Sequence, residues 1–155
     1  STPQEIHASI QDNGPWSSWA GSNAQAQVET SSSFNFVFRE DGDGGCSVIP
    51  TGSVPVTITY HVVLPSWAPP SGVSSGTVDW WTDTIHETVA HEGHHITLYE
   101  EHLPAMNDAV RSGTCASVEA DLERLITDAQ RANCEFDLAE YGYARGLTLE
   151  SCMAS

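Results

Sequence analysis

Five of the seven histidines fall within the seventeen residues from His86 to His102, and at their centre stands His91-Glu92-Gly93-His94-His95. On a helix, at about 100° per residue, His91 and His95 project from one face a turn apart. Two neutral imidazoles so placed can bind one divalent cation, while Glu92 sits beside them and not on the metal. The chemistry served by this spacing is hydrolysis, in which zinc activates water and the carboxylate takes its proton. A polar helix face can also carry histidines without any metal. What separates the two cases is a third ligand.

The other histidines sort by angle and distance. His86 and His94 point well away from the pair, as solvated or supporting side chains. His102 shares the face of His95 but lies about 10 Å further along the axis. Reaching the same ion would take a sharp bend after His95, and Ile96-Thr97-Leu98 has no glycine to make one. His102 is therefore expected at the rim. A catalytic zinc takes three protein ligands and keeps one position for water. With no suitable cysteine, the third donor is expected to be a downstream acid: Glu119, Asp121 or Glu123 early in a second helix, Asp137 or Glu140 near its end. Acids in a first turn, such as Glu119 and Asp121, already serve by complementing the helix dipole. Asp137 has less of an ordinary reason to exist, because it interrupts the apolar neighbourhood Phe136-Asp137-Leu138-Ala139.

The segment Phe136-Asp137-Leu138-Ala139-Glu140-Tyr141-Gly142 resembles a stretch of the aspzincins, the deuterolysin-like metalloproteases. There an aspartate is the third zinc ligand and a nearby tyrosine, followed by glycine, steadies the transition state. The spacing here differs by one residue, and the Gly-Thr that precedes the segment in aspzincins is absent. A broader resemblance covers most of the chain. Gly44-Gly45-Cys46, the strand Val54 to Val63 with Leu64-Pro65-Ser66-Trp67, Trp80 or Trp81, His91-Glu92 to His95, Cys115 and Phe136-Asp137 through Gly142 follow one another in order. The same order occurs in a bacterial domain-of-unknown-function family described as secreted zinc-dependent proteases. That family closes with Tyr-Asp, a Thr and a His-Gly, where this chain has Phe136-Asp137, Glu140 and Tyr141-Gly142. Both resemblances imply Asp137 as the third zinc ligand. The first implies Tyr141 as donor to a developing oxyanion, a task Tyr143 could also perform.

These side chains need elements to hold them. Residues 1–24 are rich in Ser, Gly, Pro, Asn and Gln and read as irregular, with Trp16 and Trp19 as anchors. Ser33 to Arg39 and Val54 to Val62 alternate apolar and polar residues, as half-buried strands do. Between them, Glu40-Asp41-Gly42-Asp43-Gly44-Gly45 is turn material; a calcium loop of the EF-hand type opens similarly, but its closing Glu is missing. A first helix is expected from Val78 to Leu103, capped by Thr77 and stopped by Pro104, with a core stripe of Trp81, Ile85, Val89, Ile96, Tyr99 and Leu103. A second starts near Ser117 and carries Val118, Leu122, Leu125, Ile126, Ala129 and Phe136. Strands first and helices after them make an α+β domain, and the motif makes it zincin-like: an antiparallel sheet, an active-site helix and a second long helix.

Composition sets the outer bounds. A chain of 155 residues suits one domain, 1–155, and 39% hydrophobic residues with five Trp, four Tyr and four Phe exclude disorder. No apolar run approaches the roughly 20 residues that span a bilayer. Twenty-one acids against five arginines and no lysine give a net charge of -16, which repels nucleic acids and anionic membranes and suits a secreted surface exposed to foreign proteases. The chain starts at Ser1 without a signal peptide, as a processed product would. Cys46, Cys115, Cys134 and Cys152 form no C-x-x-C pair and suit two disulfides in an oxidising compartment. Of the three pairings, Cys46–Cys115 with Cys134–Cys152 is favoured.

Together these observations lead to the expectation of a monomeric secreted zinc endopeptidase acting on protein or peptide substrates. Zinc is held by His91, His95 and Asp137; Glu92 is the base and Tyr141 the oxyanion donor. Two alternatives remain. In one, zinc is structural and closed by a fourth ligand such as His94 or His102; in the other, the same triad hydrolyses cell-wall peptide, amide or other acyl bonds.

Overall fold

The computed structural model describes residues 1–18, 20–142 and 146–154. It begins with a helix, α1 (Pro3–Asn13), inside the stretch whose composition reads as irregular. A capping box starts it: the Thr2 hydroxyl accepts from the Glu5 N–H at 3.3 Å, and the Glu5 carboxylate accepts from the Thr2 N–H at 2.9 Å. Pro3 then opens the first turn, where its missing N–H costs nothing. Trp16 is not an anchor, being 63% exposed, and Trp19 lies outside the described residues.

Among the described residues the strands form three antiparallel pairs and not one sheet. The short strands β1 (Trp16–Ser17) and β2 (Ser22–Asn23) pair with each other. β3 (Gln27–Phe34) pairs with β6 (Val56–Val63), from Gln27 opposite Val63 to Phe34 opposite Val56. β4 (Phe36–Glu40) pairs with β5 (Cys46–Pro50). The alternation from Ser33 to Arg39 therefore runs across a break. At Asn35 the chain leaves one pair for the other, its N–H bound to the Pro55 carbonyl at 2.7 Å and its carbonyl to the Thr51 N–H at 2.9 Å. The acids of the β4–β5 turn are spent locally: Asp41 accepts from the Ser47 hydroxyl and Asp43 from the Gly45 N–H. Gly44 takes a φ of +86° that side chains disfavour.

The long helix α2 (Ser75–Ser112) is capped by Ser74, whose hydroxyl accepts from the Thr77 N–H at 3.1 Å, so Thr77 is the third helical residue and not the cap. The helix does not stop at Pro104. That proline lies on the exposed side, where solvent can satisfy the carbonyl it leaves unpaired, and the residues beyond it hold the helix in place. Those residues are the core: Met106 and Val110 bury against Val56 of β6 and against Val118, Leu122 and Ala129 of α3 (Val118–Asp137). Each fully buried side chain of that size contributes about 1.5–3 kcal/mol.

A wide π turn, Leu138–Gly142, follows α3, and α4 (Leu149–Met153) closes the described chain. Both expected disulfides are formed, Cys46–Cys115 and Cys134–Cys152. The architecture is α+β, with small antiparallel sheets and long helices. Among the described residues no helix is long and apolar enough to cross a membrane.

Candidate metal centre

Two stripes face each other. On α2, Thr84, Thr88, His91, His95 and Tyr99 recur at helical spacing; on α3 and the turn after it, Asn133, Asp137 and Tyr141 do the same, and all of them line one cavity. Where the stripes meet, three atoms form a small triangle. His91 Nε2 is 3.1 Å from His95 Nε2, and Asp137 Oδ1 lies 3.2 Å from the first and 3.0 Å from the second. In a tetrahedral zinc site with bonds of about 2.0–2.1 Å, donor atoms stand roughly 3.3 Å apart. The triangle fits.

The far sides of both rings are also occupied. His91 Nδ1 is 3.0 Å from the Glu140 carboxylate, and His95 Nδ1 is 2.7 Å from the amide oxygen of Asn133. Those acceptors favour neutral rings protonated at Nδ1, and in that tautomer two Nε2 lone pairs and a carboxylate oxygen are aimed at one point. Three acceptors at such separations repel one another unless a positive charge lies between them.

Electrostatics agree with the geometry. Burial works to lower the pKa of His91, yet hydrogen bonds to Asp137 and Glu140 outweigh it and leave it raised. In His95 burial is likewise overcome, chiefly by Asp137, and its pKa is raised too. Burial would lift Asp137, but both imidazoles hold its carboxyl below the usual value. All three directions mark a place that favours positive charge, whether a proton on Nε2 or a cation. Glu92, 6% exposed, is different: burial pushes its pKa up, with His95 and His91 only partly opposing. It lines the same cavity, whose volume is about 870 Å³.

Comparison with known proteins adds one finding. The model of a family described as "Bacterial protein of unknown function (DUF922)" matches residues 1–143. The chain belongs to that family. No curated protein and no solved structure matches it. Because the family description carries no activity, the chemistry rests on the side chains themselves.

Of the acids open as third ligand, Asp137 meets the histidine pair. Glu140 binds the back of His91 instead, and neither Glu119, Asp121 nor Glu123 joins the cluster among the described residues. His102 turns back on its own helix, donating from Nδ1 to the Leu98 carbonyl at 2.8 Å, and His94 lies against Phe136 with ring centroids 4.3 Å apart. The expected apolar stripe fails at Val89, which is 47% exposed. Around it the buried positions are Thr88 and Glu92, because the inward face there borders a cavity and not the core.

The Tyr141 hydroxyl stands 3.4 Å from His91 Nδ1. Burial, reinforced by the charge of Glu140, pushes its pKa up to about 12, so it stays a proton donor. Tyr143 lies outside the described residues. The strands bordering the cavity are β1, β2 and the start of β3, at Gln27 and Val28. One neighbouring bond pins that wall to α2: the Gln25 amide donates to the Thr88 hydroxyl. Asn133 had no advance signal except its place four residues before Asp137.

Proposed function

We propose that this chain is a secreted zinc-dependent endopeptidase. The observation that carries the reading is the convergence of two Nε2 lone pairs and the Asp137 oxygen on one point, beside a buried carboxylate that belongs to no ligand set. His91, His95 and Asp137 would hold the zinc. Bound there, it supplies Lewis acidity, which polarises a carbonyl and acidifies water. Glu92 then takes a proton from the attacking water on its carboxylate and returns it to the leaving amine. Its raised pKa suits a group that must do both near neutral pH. Tyr141, half exposed with a hydroxyl that keeps its proton, donates a hydrogen bond to the charge developing on the carbonyl oxygen.

The cavity, lined by β1, β2, the start of β3 and α2, has a volume of about 870 Å³, room enough for several residues of a peptide. A closed structural site is less favoured, since His94 and His102 are engaged elsewhere. Two disulfides support an oxidising, extracellular compartment.

Zinc content and casein digestion test the proposal together. Wild type is expected to hold one zinc and to digest casein, with activity lost to a chelator. Glu92→Gln is expected to keep the zinc and to lose at least 100-fold in rate. A Glu92→Gln protein that digests casein normally sinks the assigned base. A wild type that binds zinc but cleaves no protein shifts the reading to another acyl bond.

A further inference from the structure

We infer that Asn133 and Glu140 are positioning residues that fix the tautomers of His95 and His91, and that Asn133 carries the larger share of the site's metal affinity. The inference rests on the proposed zinc site and assigns roles to two residues outside its ligand set.

The two supports differ in chemistry. The Asn133 amide has a determined orientation, because its Nδ2 donates to the Ala129 carbonyl at 2.9 Å one turn earlier. Its Oδ1 is thereby aimed at His95 Nδ1, and an amide oxygen only accepts. The ring must put its proton on Nδ1 and present Nε2 bare. Asn133 is only 8% exposed, so water does not compete for that bond. Glu140 makes the equivalent bond to His91 with a charged acceptor, but its side chain is 45% exposed and solvent screens it. His91 Nδ1 also has the Tyr141 hydroxyl at 3.4 Å as a second neighbour, whereas the hydrogen bond from His95 Nδ1 goes to Asn133. Loss of Asn133 therefore frees a ring, while loss of Glu140 loosens one. Removal of such outer supports typically costs 10–100-fold in metal affinity.

The test is a competition titration of zinc against a chromophoric chelator, with cobalt(II) absorption as a second readout. Asn133→Leu, which keeps the volume without the acceptor, is expected to bind zinc roughly 10–100-fold more weakly. Asn133→Asp, which restores an oxygen facing His95, is expected to bind as tightly as wild type or tighter. Glu140→Ala should lose less than Asn133→Leu, and Glu140→Gln should recover most of that loss. In the zinc-loaded protein, ¹H–¹⁵N correlation of the imidazoles should show both rings protonated at Nδ1, with the His95 Nδ1 proton broadened in Asn133→Leu.

Should Asn133→Leu fail to fold, the Asp and Glu140 variants decide: an Asp variant that binds poorly, or Glu140→Ala equal to wild type, overturns the inference. A folded Asn133→Leu with wild-type affinity overturns it as well, while leaving the zinc proposal standing. A wild type that takes up neither zinc nor cobalt overturns both.

Discussion

Two buried asparagines, Asn107 in the lower half of α2 and Asn133 in α3, are anchored identically at one end and differently at the other. Each donates from Nδ2 to the carbonyl four residues earlier, at 2.9 Å in both cases. Asn107 spends the rest of its amide on the backbone of Val56: Nδ2 also donates to the Val56 carbonyl at 3.1 Å, and Oδ1 accepts from the Val56 N–H at 3.0 Å. It seals the first residue of β6 into the core. Asn133 spends its free oxygen on a histidine ring. A disulfide accompanies each, Cys46–Cys115 near the core end and Cys134–Cys152 beside Asn133. The same local device thus serves stability at one end of the helix pair and a site at the other. Disturbing the first should cost folding; disturbing the second should cost chemistry.

The disulfides give the largest effects. Cys46–Cys115 closes a separation of 69 residues and Cys134–Cys152 one of 18, so chain entropy makes them worth about 4 and about 3 kcal/mol. Replacing Cys46 and Cys115 by Ser is expected to lower the urea midpoint most, with unchanged zinc affinity in the protein that stays folded. Replacing Cys134 and Cys152 should lower it less, yet weaken zinc binding severalfold, because α4 is released from α3 next to Asn133. Zinc affinity that moves equally in both double variants would erase the distinction between the ends.

Next comes Asn107→Leu. It leaves the N–H and carbonyl of Val56 without that partner in a place with no solvent, since Val56 is 0% exposed. Each orphaned group costs about 1–3 kcal/mol, so a total near 3 kcal/mol and a fall in Tm of roughly 6–12 °C are expected. Zinc affinity measured well below that Tm should match wild type. A drop in affinity comparable to that of Asn133→Leu would show that the core end reaches the site after all.

How much of this could be read from the chain differs between the ends in the same way. That His91 and His95 share one face follows from helical period alone, and the acids considered as their partner included Asp137, the one that meets them, because ligand chemistry restricts the choice to few residue types. The second-helix start at Ser117 and both disulfides were equally legible. Asn133 was not, because an asparagine within a helix has no pattern that separates a ring support from a solvated side chain. The strands failed at Asn35 for a related reason: alternation reports which face a residue takes, and it persists through Phe34, Phe36 and Phe38 while the partner strand changes. Helix α1 was hidden by composition, although Thr2, Pro3 and Glu5 spell a cap and first turn. Pro104 misled because propensity is local, whereas Met106 and Val110 hold the helix from beyond it.

The smallest expected effect lies in the π turn that delivers Glu140 and Tyr141 to His91. Gly142 in that turn lies against Leu138: a Cβ there would overlap Leu138 Cδ2 and stand 3.3 Å from its Cγ. Leu138 is 0% exposed, so its side chain cannot swing out into solvent to make room. Gly142→Ala should therefore lose about 1–2 kcal/mol as an overpacked variant, and zinc affinity by a fewfold at most, through Glu140. A double-mutant cycle identifies the cause. Leu138→Ala destabilises by leaving a cavity, and in that background Gly142→Ala should cost almost nothing, which makes the coupling close to the whole single-variant loss. If Gly142→Ala costs the same with either residue at 138, the turn needs glycine for its backbone and not for its neighbour. Glu140 would then be placed by backbone shape and not by packing from the core side.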